Sequence, residues 1–321
     1  PNAGSLNRVR RDPMDVLLLA HPNDQWPHRV ERLISGRLAV HIADVETHPE
    51  PHIDCTDVRL IVGSPSSIAR WIPACPNVEW IQSTWAGVDA LVDTLPDGVV
   101  LTPLKHVFGQ SMSEFVLGWI LALERRVIER AAATHWDDRP ELGVLGKKMG
   151  ILGTGSIGSA VANAAHQFGI ECRGMNSNGR PIPGFTHCFK SNDMAFFDGL
   201  DYLVSVLPKT SATDNIINSD SLKRLAPNSL VVNIGRGNAV DDGALLHAIR
   251  QGYVRAAVLD VFREEPLPQS DPYWHEPNVF VTSHTSAPTS ERLVSEAMAT
   301  NLERFLAGQQ PLGAFEQHKG Y

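Results

Sequence analysis

Two α/β domains, each built on a doubly wound parallel sheet, are the architecture this sequence predicts. Three observations lead there. Short apolar runs alternate with helical patterns, one long helical stretch separates them into two series, and a glycine-rich turn falls between a strand and a helix. Size agrees, because 321 residues with 43% apolar and 20% charged content can fill two ordinary cores.

Taken in order, the chain opens on "PNAGSLNRVRRDPMDVLLLA", whose basic cluster and apolar run imitate a secretion signal. The run "VLLLA" is too short for a signal core and reads as a first buried strand. "DVLLLAHP" (15–22), "VRLIVGS" (58–64), "VEWIQST" (78–84) and "VVLTPL" (99–104) form the first series. From Ser111 to about Ala133 the apolar residues keep helical spacing, which predicts one long helix joining or bracing the two domains. The second series holds "KKMGILG" (147–153), "IECRGM", "LDYLVSVLP" (200–208), "SLVVNIG" (229–235), "AAVLDV" (256–261) and "NVFVTSH" (278–284), with a helix at 241–252. An amphipathic helix over 288–308, with Pro288 in its first turn and Gly308 at its end, is placed to return to the first domain. No short-period repeat or low-complexity tract interrupts this plan.

Composition narrows the function. A net charge of -8 leaves no basic surplus for nucleic acid. Cys55, Cys75, Cys172 and Cys188 lack CxxC spacing, which suits reduced thiols packed as small apolar groups and argues against a structural metal. No apolar segment is long enough to cross a bilayer, so the expectation is a soluble, cytoplasmic protein.

The first chemical motif lies in "GILGTGSIGSAVANAAHQFGIECRGMN". Gly153, Gly155 and Gly158 make GxGxxG between strand and helix, where backbone can approach a pyrophosphate at a helix N-terminus. A bare GxGxxG is weak, and the strand, Ala-rich helix and second strand around it make dinucleotide binding the better reading. An acid usually ends that second strand and repels a 2′-phosphate. Asn176 stands there instead, followed by Ser177, Asn178 and, within reach of a phosphate, Arg180. These residues point to NADP(H), with NAD(H) possible; the alternative leaves Arg180 solvated and either cofactor accepted.

Three further residues belong together. Arg236, between two glycines in "VVNIGRGNAVDD", sits at a strand's carboxyl end, where ligands of open α/β sheets bind. Its flanking glycines read as keeping the approach open, and a guanidinium there can grip a carboxylate through two parallel hydrogen bonds. A structural pairing with Asp241 or Asp242 is the competing reading. "AAVLDVFREEPLP" brings Asp260, Glu264 and Glu265 to the same edge, and "NVFVTSHTSAP" brings His284. A histidine beside a carboxylate is an acid/base pair suited to neutral pH. His275, in "YWHEP", reads as a non-catalytic loop residue.

The order GxGxxG, "NIGRG", "DVFREEPLP" and "VTSHTSA" resembles the D-2-hydroxyacid dehydrogenase family over nearly the whole chain. The spacing within "PLPQSDPYWHEPNVFVTSH" is most similar to its glyoxylate and hydroxypyruvate reductase branch. The resemblance implies a Rossmann nucleotide domain (106–287) and a flavodoxin-like substrate domain split between 1–105 and 288–321. By the same resemblance, His284 protonates the C2 oxygen of a 2-ketoacid, Glu265 holds that histidine charged and oriented, and Arg236 binds the substrate carboxylate. Asp260 contacts the nicotinamide carboxamide; Thr154, Ser156, Ile157, Leu207, Pro208, Thr213 and Ile234 line the cofactor; the amides of Trp85, Ala86, Gly87 and Val88 receive the carboxylate. Trp85 stands where glycine is frequent and Ser283 where proline is common, so the ring of Trp85 either limits the substrate side chain or packs outward. A homodimer is also implied, with the helix after Ser111 as a candidate interface. Two other functions remain open from sequence: a cofactor-sensing corepressor-like protein, and a dehydrogenase of another compact anion such as formate or phosphite.

Overall fold

The computed structural model describes residues 14–34, 36–105, 107–141, 143–288 and 291–315. Along the chain come β1 (Asp15–Ala20), α1 (Trp26–Ile34), β2 (Ala39–Asp44), β3 (Val58–Gly63), α2 (Pro65–Trp71), β4 (Trp80–Ser83) and β5 (Val100–Thr102). Then follow α3 (Gly109–Glu124), α4 (Val127–Ala131), β6 (Lys148–Leu152), α5 (Ser156–His166), β7 (Glu171–Asn176), β8 (His187–Lys190) and β9 (Tyr202–Ser205). The last are α6 (Ser219–Leu222), β10 (Ser229–Asn233), α7 (Asp242–Arg250), β11 (Val254–Leu259), β12 (Val279–Val281) and α8 (Glu291–Leu306).

The chain divides into two compact units, Pro1–Val107 with Thr289–Tyr321, and Phe108–Pro288. The first carries a parallel sheet of order β2-β1-β3-β4-β5, the flavodoxin-like order. Its core joins Leu17, Leu19, Ile61, Ile68, Trp71 and Ile81, all at most 2% exposed. Helix α8 belongs to this unit: Phe305 lies against Trp80 with ring centroids 5.2 Å apart, and Arg29 pairs with Glu291 at 2.9 Å. The second unit carries seven parallel strands in the order β12-β11-β10-β9-β6-β7-β8. The chain winds outward from β6 through β7 and β8, then restarts on the other side at β9. Between β6 and β9 the order therefore reverses, and a cofactor crevice opens there in sheets of this kind.

Three expectations need correction or qualification. The long helix after Ser111 is not continuous, since Arg126 adopts a left-handed backbone (φ 52°) that ends α3 and starts the short α4. Two strands, β2 and β8, had no apolar run to announce them. Each is an edge strand, and β2 is buried only at Ala43. The start of the last helix and the first thirteen residues lie outside the described residues, whereas Gly308 (φ 71°) ends α8 as expected. Among the described residues, no helix is long and apolar enough to cross a membrane.

Candidate active site

Strand β6 is buried from Met149 to Leu152 and runs into the glycine-rich turn. Gly153 has a φ of +98°, open to glycine at no steric cost, and a Cβ on Gly158 would lie 2.0 Å from the Gly153 carbonyl oxygen. A Cβ on Gly155 would meet nothing within 4 Å, so the mouth of α5 is open space. The first-turn N–H groups of α5, from Ser156 and Ile157, have no partner within the helix. Open room, no bulk and unpaired donors at the start of an eleven-residue helix fit a dinucleotide pyrophosphate.

Asn176 ends β7 and organises the next turn. Its amide donates to Thr154 Oγ1 (3.1 Å) and to the Arg180 carbonyl (2.9 Å), while its oxygen accepts from the Arg180 amide (3.1 Å). Asn178 accepts from the same Arg180 amide, and Ser177, Asn178 and Arg180 are exposed. No carboxylate therefore stands at this strand end. Thr213 closes the loop after β9 by hydrogen bonding to the carbonyls of Pro208 (2.8 Å) and Thr210 (2.9 Å). Leu207 and Pro208 are half-buried, and Ile234 is 3% exposed at the end of β10.

Arg236, Glu265 and His284 follow three adjacent strands, β10, β11 and β12. His284 Nδ1 lies 2.8 Å from Glu265 Oε2, and Glu265 Oε1 accepts the Phe262 amide at 2.8 Å. Burial favours the neutral acid of Glu265, but the His284 and Phe262 hydrogen bonds and the nearby charges of His284 and Arg236 outweigh it. The net effect holds its pKa below the ordinary glutamate range. Glu265 is therefore an anion wherever the site works near neutrality. Asp241 caps α7 through the Ala244 amide (3.0 Å), and Asp242 meets Arg263 (3.2 Å) and the Tyr273 hydroxyl (2.9 Å).

The glycines beside Arg236 have a different purpose from the one expected. A Cβ on Gly235 would sit 2.6 Å from the Leu207 backbone, and one on Gly237 would sit 2.0 Å from the Phe262 carbonyl carbon. They are small because neighbouring loops press against the main chain on both sides. The open approach expected of them is not what the structure shows.

Asp260 is fully buried, immediately beyond β11. Its carboxylate accepts from the Thr282 hydroxyl (2.6 Å), the Thr285 amide (2.8 Å) and the Ser286 amide (2.9 Å), and its carbonyl accepts the His284 amide (2.8 Å). Burial raises its pKa, yet the Thr282 and Ser286 hydrogen bonds prevail and the carboxyl stays below the ordinary aspartate range. The resemblance assigned Asp260 to the nicotinamide; in the structure its carboxylate oxygens accept from Thr282, Thr285 and Ser286, in the segment carrying His284, while its own amide donates to the Asn233 carbonyl (3.0 Å). That segment is strained, since His284 has φ 53°, and the clamp holds it. Ser283, in place of proline, therefore leaves a loop that is pinned by other means.

Asn233 is a site residue that the motif reading missed. Fully buried, it donates to the Arg236 carbonyl (2.9 Å) and accepts the Gly235 amide (3.2 Å), which shapes the arginine turn. The available signal was an amide inside the otherwise apolar run "LVVNIG".

In the other unit, Trp85, Ala86, Gly87 and Val88 follow the carboxyl end of β4. Ser83 Oγ accepts the Trp85 amide and donates to the Trp85 carbonyl, both at 3.0 Å, and Gln82 bonds to Ser83 and Thr102 behind it. Trp85 itself remains 43% exposed, so its ring is not core packing. Among the described residues no group of three or more His, Cys, Asp or Glu is placed to hold a metal ion.

Comparison with known proteins identifies the family. Residues 117–286 match the model of the D-isomer specific 2-hydroxyacid dehydrogenase NAD-binding domain. Glyoxylate/hydroxypyruvate reductase A of Serratia proteamaculans is 34% identical over 74% of this chain and 79% of its own length. The Yersinia enterocolitica protein of the same name is 33% identical over the same shares. A 2-hydroxyacid dehydrogenase family structure from Aeromonas salmonicida superposes with a TM-score of 0.87 at 32% identity, covering 95% of this chain and all of that one. A D-isomer specific 2-hydroxyacid dehydrogenase from Xanthobacter autotrophicus, solved with NADPH and MES, gives 0.82 at 30% identity over 95% and 99% of the two chains. This chain is an oxidoreductase of the D-isomer specific 2-hydroxyacid dehydrogenase family.

Proposed function

We propose that the protein reduces glyoxylate, hydroxypyruvate or a similarly small 2-ketoacid to the D-2-hydroxyacid, with NADPH preferred. The observation that carries this reading is the 2.8 Å pair of His284 and Glu265 on loops beside the one that bears Arg236. Bound in the crevice at β6, the reduced nicotinamide supplies a hydride to the ketone carbon. His284 delivers the proton to the C2 oxygen from Nε2, the nitrogen not engaged by Glu265. Glu265 fixes the tautomer and orientation of the ring and stabilises its charged form before transfer. Arg236 takes the substrate carboxylate, and the Trp85–Val88 amides serve an anion in the same way. Absence of a carboxylate at Asn176, with Arg180 exposed nearby, favours the 2′-phosphate; the Xanthobacter relative was solved with NADPH.

The sensor reading gains nothing from the comparisons, since the first curated relative is named as a reductase. The proposal extends to a homodimer in the cytoplasm. Exposed Val127, Ile128 and Trp136 beyond α3 offer apolar surface for a second copy, and the four cysteines are unbridged. Light scattering of the purified protein tests the dimer.

The function is tested by following nicotinamide absorbance with glyoxylate, hydroxypyruvate, pyruvate and phenylpyruvate, each with NADPH and NADH. Expected are turnover of the smallest acids, preference for NADPH, and about a 1,000-fold loss in His284→Asn. Tight NADPH binding with no turnover of any acid would overturn the reading.

A further inference from the structure

Two cysteines of the first unit occupy equivalent places in the turns that precede the neighbouring strands β3 and β4. In the β3–β4 register Leu60 faces Trp80, and Cys55 and Cys75 each stand five positions before those partners. Both open a turn of the same form, in which the cysteine carbonyl accepts the amide three residues on: Val58 to Cys55 (3.2 Å) and Val78 to Cys75 (3.3 Å). Asn77 ties the two turns together by donating to the Thr56 carbonyl at 2.9 Å. Adjacent strands run about 4.8 Å apart, and a disulfide needs Cα atoms roughly 4.4–6.8 Å apart. Both thiols are 2% exposed in one core cluster and interact with each other, Cys55 Sγ also donating to the Ile53 carbonyl and Cys75 Sγ to the Trp71 carbonyl, each at 3.5 Å.

We propose that Cys55 and Cys75 are an oxidisable pair that forms a reversible disulfide with a small neutral oxidant of the peroxide class. One sulfur attacks the peroxide O–O bond and becomes a sulfenic acid, releasing water once the thiol proton is transferred. The second sulfur displaces water from that sulfenic acid, so two S–H bonds are lost, one S–S bond forms, and the peroxide is reduced to two waters. Burial pushes the pKa of both thiols up, Cys75 more strongly, so little thiolate forms and the reaction is slow and proceeds through local opening. The bridge joins the amino-terminal ends of β3 and β4, whereas the Trp85–Val88 loop leaves the carboxyl end of β4. It therefore acts as a staple on the first unit and leaves the chemistry unchanged.

The test uses the whole protein, incubated with millimolar hydrogen peroxide or with dithiothreitol and then mapped by mass spectrometry without reduction. The expected product is a cross-linked peptide containing Cys55 and Cys75, two hydrogens lighter than the thiol pair and restored by dithiothreitol. The unfolding midpoint should rise by about 5 °C in the oxidised protein, and neither Cys55→Ala nor Cys75→Ser should show that rise. Should one variant fail to fold, the peptide map of the unmodified sequence decides alone. Sulfinic or sulfonic acid at either position without the cross-link, or thiols that persist while surface methionines oxidise, would overturn the proposal.

Discussion

Two carboxylates are buried in the seven-stranded unit, and their surroundings treat them in opposite ways. Asp260, at the carboxyl edge of the sheet, receives a hydroxyl and two amides and is held below the ordinary range. Glu124, in the last turn of α3, is 2% exposed and meets Arg255 at 2.6 Å through Oε1. Its Oε2 and the neighbouring Tyr202 hydroxyl are buried without a well-formed hydrogen bond. Burial raises its pKa despite the Arg255 charge, and the negative end of the helix disfavours an anion there as well. Depth does not distinguish the two; the number of donors does. Saturated with donors, a buried anion can orient a strained catalytic loop, whereas an undersupplied one becomes a pH-sensitive strut.

The strongest way to break this contrast is Asp260→Asn. The new amide would set a donor against the Thr285 or Ser286 amide, and the His284 loop would lose its hold. A displacement near 1 Å at the proton donor costs about 100-fold, so kcat should fall by that order while NADPH affinity changes little. Stopped-flow or steady-state kinetics with a separate cofactor titration measure both. Unchanged kcat with weakened NADPH binding would return Asp260 to the nicotinamide role that the resemblance implied.

That outcome bears on how much was readable beforehand. The runs that became β1, β3, β4, β5, β6, β7, β9, β10, β11 and β12 were legible because strands of a parallel sheet covered on both faces are mostly apolar. Strands β2 (AVHIAD) and β8 (HCFK) were not, since polar residues interrupt each run and each buries a single residue, Ala43 or Cys188; position at the edge alone is not the cause, because the edge strands β5 and β12 carry apolar runs. Arg236, Glu265 and His284 were legible from their places at strand ends, and the structure brings Glu265 and His284 into contact. The clamp of Asp260 was invisible because its partners lie 22 to 26 residues away and two of them are backbone amides. The glycines around Arg236 were misread for a similar reason: what presses on them comes from Leu207 and Phe262, remote in sequence.

Stability against pH sharpens the comparison next. Glu124 binds its proton more tightly when folded, so between the ordinary glutamate range and its raised value the native state holds more protons and stability falls as pH rises. Asp260 and Glu265 behave oppositely: their depressed values make stability fall as pH drops below the ordinary carboxyl range. Glu124→Gln should flatten the decline on the alkaline side of that range by roughly 1–2 kcal/mol and leave the acid limb in place, as read from unfolding midpoints across pH. A parallel shift of the whole curve would show that Glu124 is not the titrating group.

The acid limb of activity gives a smaller effect. Because Glu265 remains an anion below the ordinary glutamate range, its pairing with His284 should survive moderate acidification, and kcat should decline only as pH falls through that depressed value. Glu265→Gln removes the titration and should leave a kcat reduced at every pH with no inflection there. A kcat profile carried from pH 7 down to about pH 3 distinguishes the two, and an inflection that persists in the variant would assign the limb to another group.

Ser83 carries the contrast into the first unit, where the loop to be held offers amides and not a titrating ring. Its clamp is neutral: Ser83 is fully buried and bonds to both ends of the Trp85 peptide backbone, with Gln82 and Thr102 completing a polar network. A carboxylate in that place would repel the substrate anion that the loop is proposed to receive, whereas a hydroxyl shapes the turn without opposing it. Ser83→Ala loses about 1 kcal/mol of hydrogen bonding, which predicts a KM for the ketoacid raised roughly fivefold with kcat within twofold. Ser83→Asp should raise KM further than the alanine variant, because charge is then added to lost shape. Equal KM values for the two variants would mean that the loop does not handle an anion, and the neutrality of its clamp would then need another cause.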